Sequence, residues 1–245
     1  MQRFLTAEWR HLVMLNYSVP PTLLRPYVPA GTELDAWQGT TYLSVVGFLF
    51  RRTRIFGIPV PFHRHFEEVN LRFYVRRTLA GEVRRGVTFI REIVPRSAIA
   101  TVARLAYNEP YVALPMRYAF GAVDVESGTF SRLAYEWKSG GRWNTMAVEP
   151  TGRGRPLQAE SLAEFITEHY WGYTAQRDGG TIEYRVEHPR WRVWQVRSAS
   201  LIGEHRGLYG EELAEAVSGV PDSAFLADGS PVTVYTPRRL KAPFQ

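Results

Sequence analysis

The chain has 245 residues, a length that suits one large domain, and 45% of them are hydrophobic, enough to bury a sizeable core. It contains no cysteine, which excludes disulfides, thiolate nucleophiles and cysteine-held zinc or iron–sulfur centres. The net charge is +6, yet only Lys138 and Lys241 are lysines and the other 28 basic residues are arginine, so chemistry that needs an amine has two candidates.

Residues 1–15 are interrupted by Glu8, Arg10 and His11 and lack the apolar stretch of a signal peptide. The apolar run 42–50 is about half the ~20 residues needed to span a bilayer and reads as a buried strand. A cytoplasmic location without membrane association is expected. Pro20 and Pro21 lead into a short helix over 22–27, closed by Pro29 and Gly31. Residues 40–50 predict a strand in which Gly47 marks a bulge, and 51–65, with Gly57, Pro59 and Pro61, an irregular connection.

Residues 66–77 predict a strand, turned by Ala80 and Gly81 into a partner over 83–94. A second hairpin joins 133–137 to 142–148 through Ser139-Gly140-Gly141. The clearest helix covers 161–170: Ser161 caps it, Glu164 completes a capping box, and Leu162, Phe165, Ile166 and His169 share a face. A shorter helix over 211–218 ends at Gly219, and strands return over 181–187, 192–202 and 232–237. Many strands and few helices, with no strand–helix alternation, predict a mostly β (α+β) fold on an antiparallel sheet or barrel in one domain, 1–245. The 13% aromatic content suits a large β core.

Arginines cluster at Arg51, Arg52 and Arg54, and at Arg76, Arg77, Arg84 and Arg85 across the first hairpin. Neighbouring strand residues face opposite ways, so neither cluster makes a uniform stripe, and no recognition motif accompanies them. Nucleic acid is not an expected partner. His63, His65 and Glu67 are metal-ligand types, but they follow a proline-containing loop and read as ordinary loop residues, as His169 and His188 read as packed ones. Gly152-Arg153-Gly154-Arg155 lacks the strand–loop–helix setting of a phosphate loop, and no Gly-x-Ser-x-Gly elbow occurs. Neither a metal nor a cofactor is expected.

The strand beginning at Phe66 carries the functional reading. Alternation puts Val69, Leu71, Phe73 and Val75 on one face and Phe66, Glu68, Asn70, Arg72 and Tyr74 on the other. The second face is either in water or the wall of a pocket. Glu68 and Arg72 lie roughly 13 Å apart along the strand and cannot pair directly. Asn70 sits between them as a two-sided hydrogen-bonding group. With a two-residue turn at Ala80-Gly81, Asn70 faces Arg91 across the hairpin, with Arg91 diagonal to Glu68.

Phe66-x-Glu68-x-Asn70-x-Arg72-x-Tyr74-Val75, Gly86-Val87-x-Phe89, Arg104 and Pro110-Tyr111 resemble the uncharacterised YqjF-like family. The resemblance continues through Phe165-Ile166-Thr167-Glu168-His169-Tyr170 and His188-Pro189-x-Trp191 and covers nearly the whole chain. That family is similar in fold to acetoacetate decarboxylase, which implies a cone-shaped antiparallel barrel enclosing the active site. The resemblance places Glu68 on an active-site glutamate, Arg10 on the arginine that holds the substrate carboxylate, and Pro110-Tyr111 on the proline and Schiff-base lysine. The lysine is replaced by tyrosine, which cannot form an imine. Lys138, beside a hairpin turn, and Lys241, near the end of the chain, are poor substitutes, so Schiff-base decarboxylation is not expected.

Three readings follow. The chain is an enzyme acting on a small carboxylate or carbonyl compound, with Glu68 as general acid/base, Tyr111 as proton donor, and Arg72 or Arg10 holding an anionic group beside Asn70 and Tyr74. Or it is a non-catalytic binder of a small molecule. Or Glu68 and the arginines form a structural polar core complete in itself.

Overall fold

The computed structural model describes residues 1–61, 63–95 and 108–240; Arg104 and Lys241 lie outside them. The strands in chain order are β1 Arg3–Val19, β2 Glu33–Leu34, β3 Thr41–Ile55, β4 Ile58–Pro59, β5 Phe66–Leu79, β6 Glu82–Val94, β7 Tyr111–Ala113 and β8 Met116–Phe120. They continue with β9 Val123–Asp124, β10 Thr129–Phe130, β11 Leu133–Ser139, β12 Arg142–Pro156, β13 Trp171–Ala175, β14 Thr181–Glu187, β15 Arg192–Ile202, β16 Ser223–Tyr235 and β17 Arg238–Leu240. Short helices are Pro21–Leu24, Leu162–Thr167, Arg206–Tyr209 and Glu211–Ala216. None is long and apolar enough to cross a membrane.

One large sheet runs β17-β14-β13-β6-β5-β3-β1-β16-β15-β12-β11-β8. Because β14 also pairs with β16, the hydrogen-bonded path through β13, β6, β5, β3, β1 and β16 comes back to β14. Among the described residues the pairings are antiparallel except those of β6 with β13 and with β7, two parallel contacts that an all-antiparallel expectation did not contain.

β5 is buried on both faces. Val69, Leu71, Phe73 and Val75 pack with Val13, Leu15 and Val45 of neighbouring strands, with Tyr135, Trp137 and Met146 of β11 and β12, and with Leu208 and Leu213 of the two helices near the end of the chain. Its other face contributes Phe66 and Tyr74 to a second core with Phe48, Phe50, Phe165 and Trp191. Each such apolar side chain stabilises the fold by about 1.5–3 kcal/mol, so a strand in which both faces are covered is held far more tightly than a one-sided one.

Gly47 serves this double layer rather than marking a bulge. A Cβ there would stand 2.7 Å from both Met146 Sδ and the Tyr135 ring, so only glycine lets β11 and β12 lie so close on β3. The bulge in this region belongs to β1, where the pairing with β3 shifts between Arg10 and Val13 and His11 takes φ 57°. The hairpin turn is as expected: Ala80 and Gly81 both have positive φ, 49° and 84°, the pair of conformations that joins twisted strands through two residues.

The helix expected over 161–170 stops at Thr167. Ser161 Oγ caps it by accepting the Glu164 N–H at 3.2 Å, but Glu168 leaves the helical region with ψ 59°. Tyr170 then enters the sheet, its N–H donating to Arg85 O and its carbonyl accepting from Val186 N. His169 is therefore held between helix and strand. The hairpin arginines also find partners: Arg76 with Glu33, Arg77 and Arg84 with Glu183, and Arg85 with Asp35. Glu183, fully buried, receives Arg238 as well.

Candidate functional site

A cavity of about 330 Å³ lies on the inner side of the returning strand path. Each strand of that path contributes to its wall: Trp9 and Leu12 from β1, Phe48 and Phe50 from β3, Glu68, Asn70 and Arg72 from β5, Phe89 and Glu92 from β6, Trp171 from β13, Tyr184 and Val186 from β14, and Val234 from β16. Tyr111, Glu109, Thr167, His169, His188 and Trp191 complete it. Phe66, Glu68, Asn70 and Arg72 of the polar face of β5 thus line a cavity and are not a solvated surface.

Glu68 is 2% exposed. Its Oε1 accepts the Asn70 Nδ2–H at 3.0 Å and its Oε2 accepts the Tyr111 hydroxyl at 3.1 Å. Burial is the main force on its carboxyl and pushes it up to about 7; the Asn70 and Tyr111 hydrogen bonds and the Arg72 charge work against that rise, and Glu109 adds to it. The Tyr111 hydroxyl is pushed well above its usual range by burial and by the surrounding carboxyls, so it keeps its proton at neutral pH.

Two further glutamates join this group. The β5–β6 ladder carries an extra residue, because Arg72 pairs with Phe89 while Leu71 pairs with Arg91, leaving Ile90 bulged. Beyond the bulge Asn70 faces Glu92, not Arg91 as a regular ladder requires. Arg91 turns away and its Nε donates to Leu208 O at 3.1 Å. Glu92 stands opposite Tyr111 on β7. Glu109, just before Pro110-Tyr111, accepts Thr174 Oγ1–H at 2.7 Å and the Tyr184 hydroxyl at 3.0 Å. Tyr184 can reach it because Gly172 stands opposite: a Cβ there would lie 2.0 Å from the Tyr184 ring.

Glu92 and Glu109 are each buried, and each has an Oε2 with no donor among the described residues. Burial raises both carboxyls; the Glu109 charge raises Glu92 further, whereas the hydrogen bond with Glu92 works against the rise at Glu109. Two coupled carboxyls buried together in this way do not readily ionise together.

Arg72 does not reach Glu68, as the strand spacing required. Its Nη2 donates to Ile166 O at 3.2 Å, its guanidinium lies 5.6 Å from the Tyr74 ring centre, and its Nε, though buried, has no acceptor among the described residues. Tyr74 is not on the cavity wall. Its ring packs on Phe165 and His169, and its hydroxyl lies 2.8 Å from Ser44 Oγ, which donates to Asn16. Arg10 is also outside: Trp9 faces the cavity, so the next residue in the strand points the other way, and Arg10 is tied to Glu8 at 3.0 Å. Of the six residues singled out from the sequence, Glu68, Asn70, Arg72 and Tyr111 come together, and Arg10 and Tyr74 do not.

His169 Nε2 sits 3.7 Å from Asp35 Oδ2, which also accepts Arg85 Nε at 2.7 Å. Burial lowers His169 to about 4 despite the Asp35 contact, so the ring is neutral. His188 stacks on Trp191 at 4.2 Å and is lowered by burial as well. Among the described residues no three of His, Asp and Glu are arranged to hold a metal ion. Lys138, exposed on β11, is not on the cavity wall.

The DUF2071 family, described as "Uncharacterized conserved protein", matches residues 6–231. The chain belongs to that family. A DUF2071 relative by sequence is the "Uncharacterized protein YqjF" of Bacillus subtilis, 26% identical over 194 residues, which cover 78% of this chain and 74% of that one. The DUF2071 chain is similar in structure to acetoacetate decarboxylase from Legionella pneumophila, with a TM-score of 0.68 at 15% identity over 98% of this chain and 88% of the other. It is similar also to the enduracididine biosynthesis enzyme MppR, crystallised with the condensation product of pyruvate and imidazole 4-carboxaldehyde, with a TM-score of 0.69 at 13% identity over 100% and 92%. At these identities the likeness shows the fold: this DUF2071 chain has the mostly β, acetoacetate decarboxylase-like architecture.

Proposed function

We propose that the protein is an acid–base enzyme acting on a small carbonyl or carboxyl compound held in the cavity, without an imine intermediate. The observation that carries this reading is the carboxyl of Glu68, buried at the cavity wall and hydrogen-bonded to a tyrosine that retains its proton. A carboxyl poised near neutrality exchanges a proton with substrate at little cost in either direction. Glu68 would take a proton from a carbon next to a carbonyl, while the electron pair of the C–H bond moves toward the oxygen. The Tyr111 hydroxyl and the free Arg72 Nε–H would stabilise that developing oxyanion. Glu109, whose charge raises the Glu68 carboxyl, would help Glu68 keep its proton until substrate binds. That MppR, of the same fold, was crystallised with a product derived from two carbonyl compounds supports the choice of ligand class.

The test is a ligand screen by thermal shift with small keto acids, ketones and carboxylates, followed by turnover or deuterium exchange measurements on the hits. Glu68→Gln should retain ligand binding and lose at least a hundredfold in exchange rate. Binding with an undiminished rate in Glu68→Gln would remove Glu68 from the chemistry. Binding with no turnover in the wild type would make the protein a carrier of the same ligands.

A further inference from the structure

The cavity is two-ended. On β1, β3 and β5, Trp9 pairs with Phe50 and Phe50 with Phe66, so three aromatic side chains on adjacent strands form one row across the wall. Phe50 and Phe66 are stacked, with ring centres 4.5 Å apart and planes 13° apart, and Trp9 meets Phe50 edge-on at 6.0 Å. Trp191 closes the row from the other side, 6.4 Å from Trp9. Two residues along β5 from Phe66, about 7 Å away, stands Glu68, with Tyr111, Glu92 and Glu109 around it. Nothing in a proton-transfer site for a two- or three-carbon substrate needs an aromatic wall of this extent. The space of about 330 Å³ holds roughly eleven waters at about 30 Å³ each.

The polar end limits charge. Among the described residues three carboxyls, Glu68, Glu92 and Glu109, face one cavity-lining guanidinium, Arg72. A carboxylate ligand would add a fourth acid to that group. A carbonyl oxygen adds none, and it accepts the Arg72 Nε–H that is otherwise buried without an acceptor.

Resting on the acid–base reading above, we propose that the ligand is an uncharged carbonyl compound with an apolar, ring-sized body, its carbonyl between Glu68, Tyr111 and Arg72 and its ring against Trp9, Phe50, Phe66 and Trp191. The distance between the two ends fits a spacer of two carbons between carbonyl and ring.

Calorimetric titration of the full chain at pH 7.5 with three probes tests this. The probes are 4-phenyl-2-butanone, 2-butanone, which lacks the ring, and 3-phenylpropanoate, which replaces the acetyl end by a carboxylate. The aryl ketone should bind at least tenfold more tightly than either of the others, and Phe66→Leu should erase most of its advantage over 2-butanone while leaving the fold intact by circular dichroism. Equal binding of 2-butanone overturns the apolar body, equal or tighter binding of 3-phenylpropanoate overturns the uncharged class, and failure of all three to bind overturns the proposal as a whole. Deuterium exchange at the carbons beside the ketone, followed by NMR in wild type and Glu68→Gln, separates this from the acid–base reading. Tight binding with no Glu68-dependent exchange leaves the ligand class standing and removes the chemistry. Glu68-dependent exchange with a preferred carboxylate does the reverse.

Discussion

Glu68→Gln tests whether the buried carboxyl is held for stability or in spite of it. In the unfolded chain this group ionises at its ordinary 4.5, whereas in the folded protein it holds its proton up to about 7. A folded value above the unfolded one adds stability below pH 4.5 that disappears as the pH rises through 7. The whole loss is about 3 kcal/mol, at 1.36 kcal/mol for each factor of ten in proton affinity. Glutamine keeps the acceptor for Asn70 but gives Tyr111 a poorer partner, a cost of about 1 kcal/mol at every pH. The two stability curves should therefore cross: the variant slightly weaker at pH 5 and stronger by about 2 kcal/mol at pH 8. For a chain of this length that gain is a rise of roughly 4–8 °C in Tm. Urea and thermal unfolding of both proteins from pH 5 to 8 read it directly, and the difference between the two cancels the titration of groups remote from Glu68, leaving that of Glu68 with its neighbours Glu92 and Glu109. Parallel curves, with the variant weaker throughout, would refute the reasoning and favour a polar core that is structural only.

His169 works with the opposite sign: lowered to about 4 by burial, it costs stability as the pH falls below 6.5. His169→Phe, which keeps a ring against Tyr74 and Phe165, should shift the midpoint of acid unfolding to lower pH, measured by circular dichroism; an unchanged midpoint would show that the ring already protonates in the fold. Glu183→Ala removes the fully buried acid shared by Arg77, Arg84 and Arg238 and should cost about 3 kcal/mol, or 6–12 °C in Tm, since breaking a buried pair strands its partner charges. A fall under about 2 °C would mean that the arginines simply move into water. Ala80→Gly relieves a non-glycine residue at φ 49° and should stabilise the hairpin by about 1 kcal/mol, raising Tm by about 2–4 °C; no change or a loss would show that the turn carries no strain.

The strands were legible wherever alternation was unbroken. β14 and β15 match their expected bounds of 181–187 and 192–202, and the two faces of β5 divide as its sequence alternates. Errors gather where the backbone breaks step. Glu92 was hidden because the bulge at Ile90 depends on which face of β6 meets a core, information absent from a local window. The family resemblance implies Arg10 at the site, but its neighbour Trp9 is the larger apolar group and takes the inward position. The helical periodicity takes in His169, but the helix ends two residues before it, where Tyr170 is recruited by sheet hydrogen bonds from β6 and β14. Glu109 had a signal, since it adjoins Pro110-Tyr111, but its burial is set by Thr174 and Tyr184 from distant strands.

The extra residue at Ile90 gives β6 two reading frames. In the unbulged frame Arg91 would stand opposite Asn70, Ile93 would enter the cavity beside Glu68, and Glu92 would fall opposite Val69 among Leu71, Phe73 and Val45. An acid left unpaired in that hydrocarbon layer costs several kcal/mol, so the wrong frame is rejected by the very residue the right frame delivers to the site.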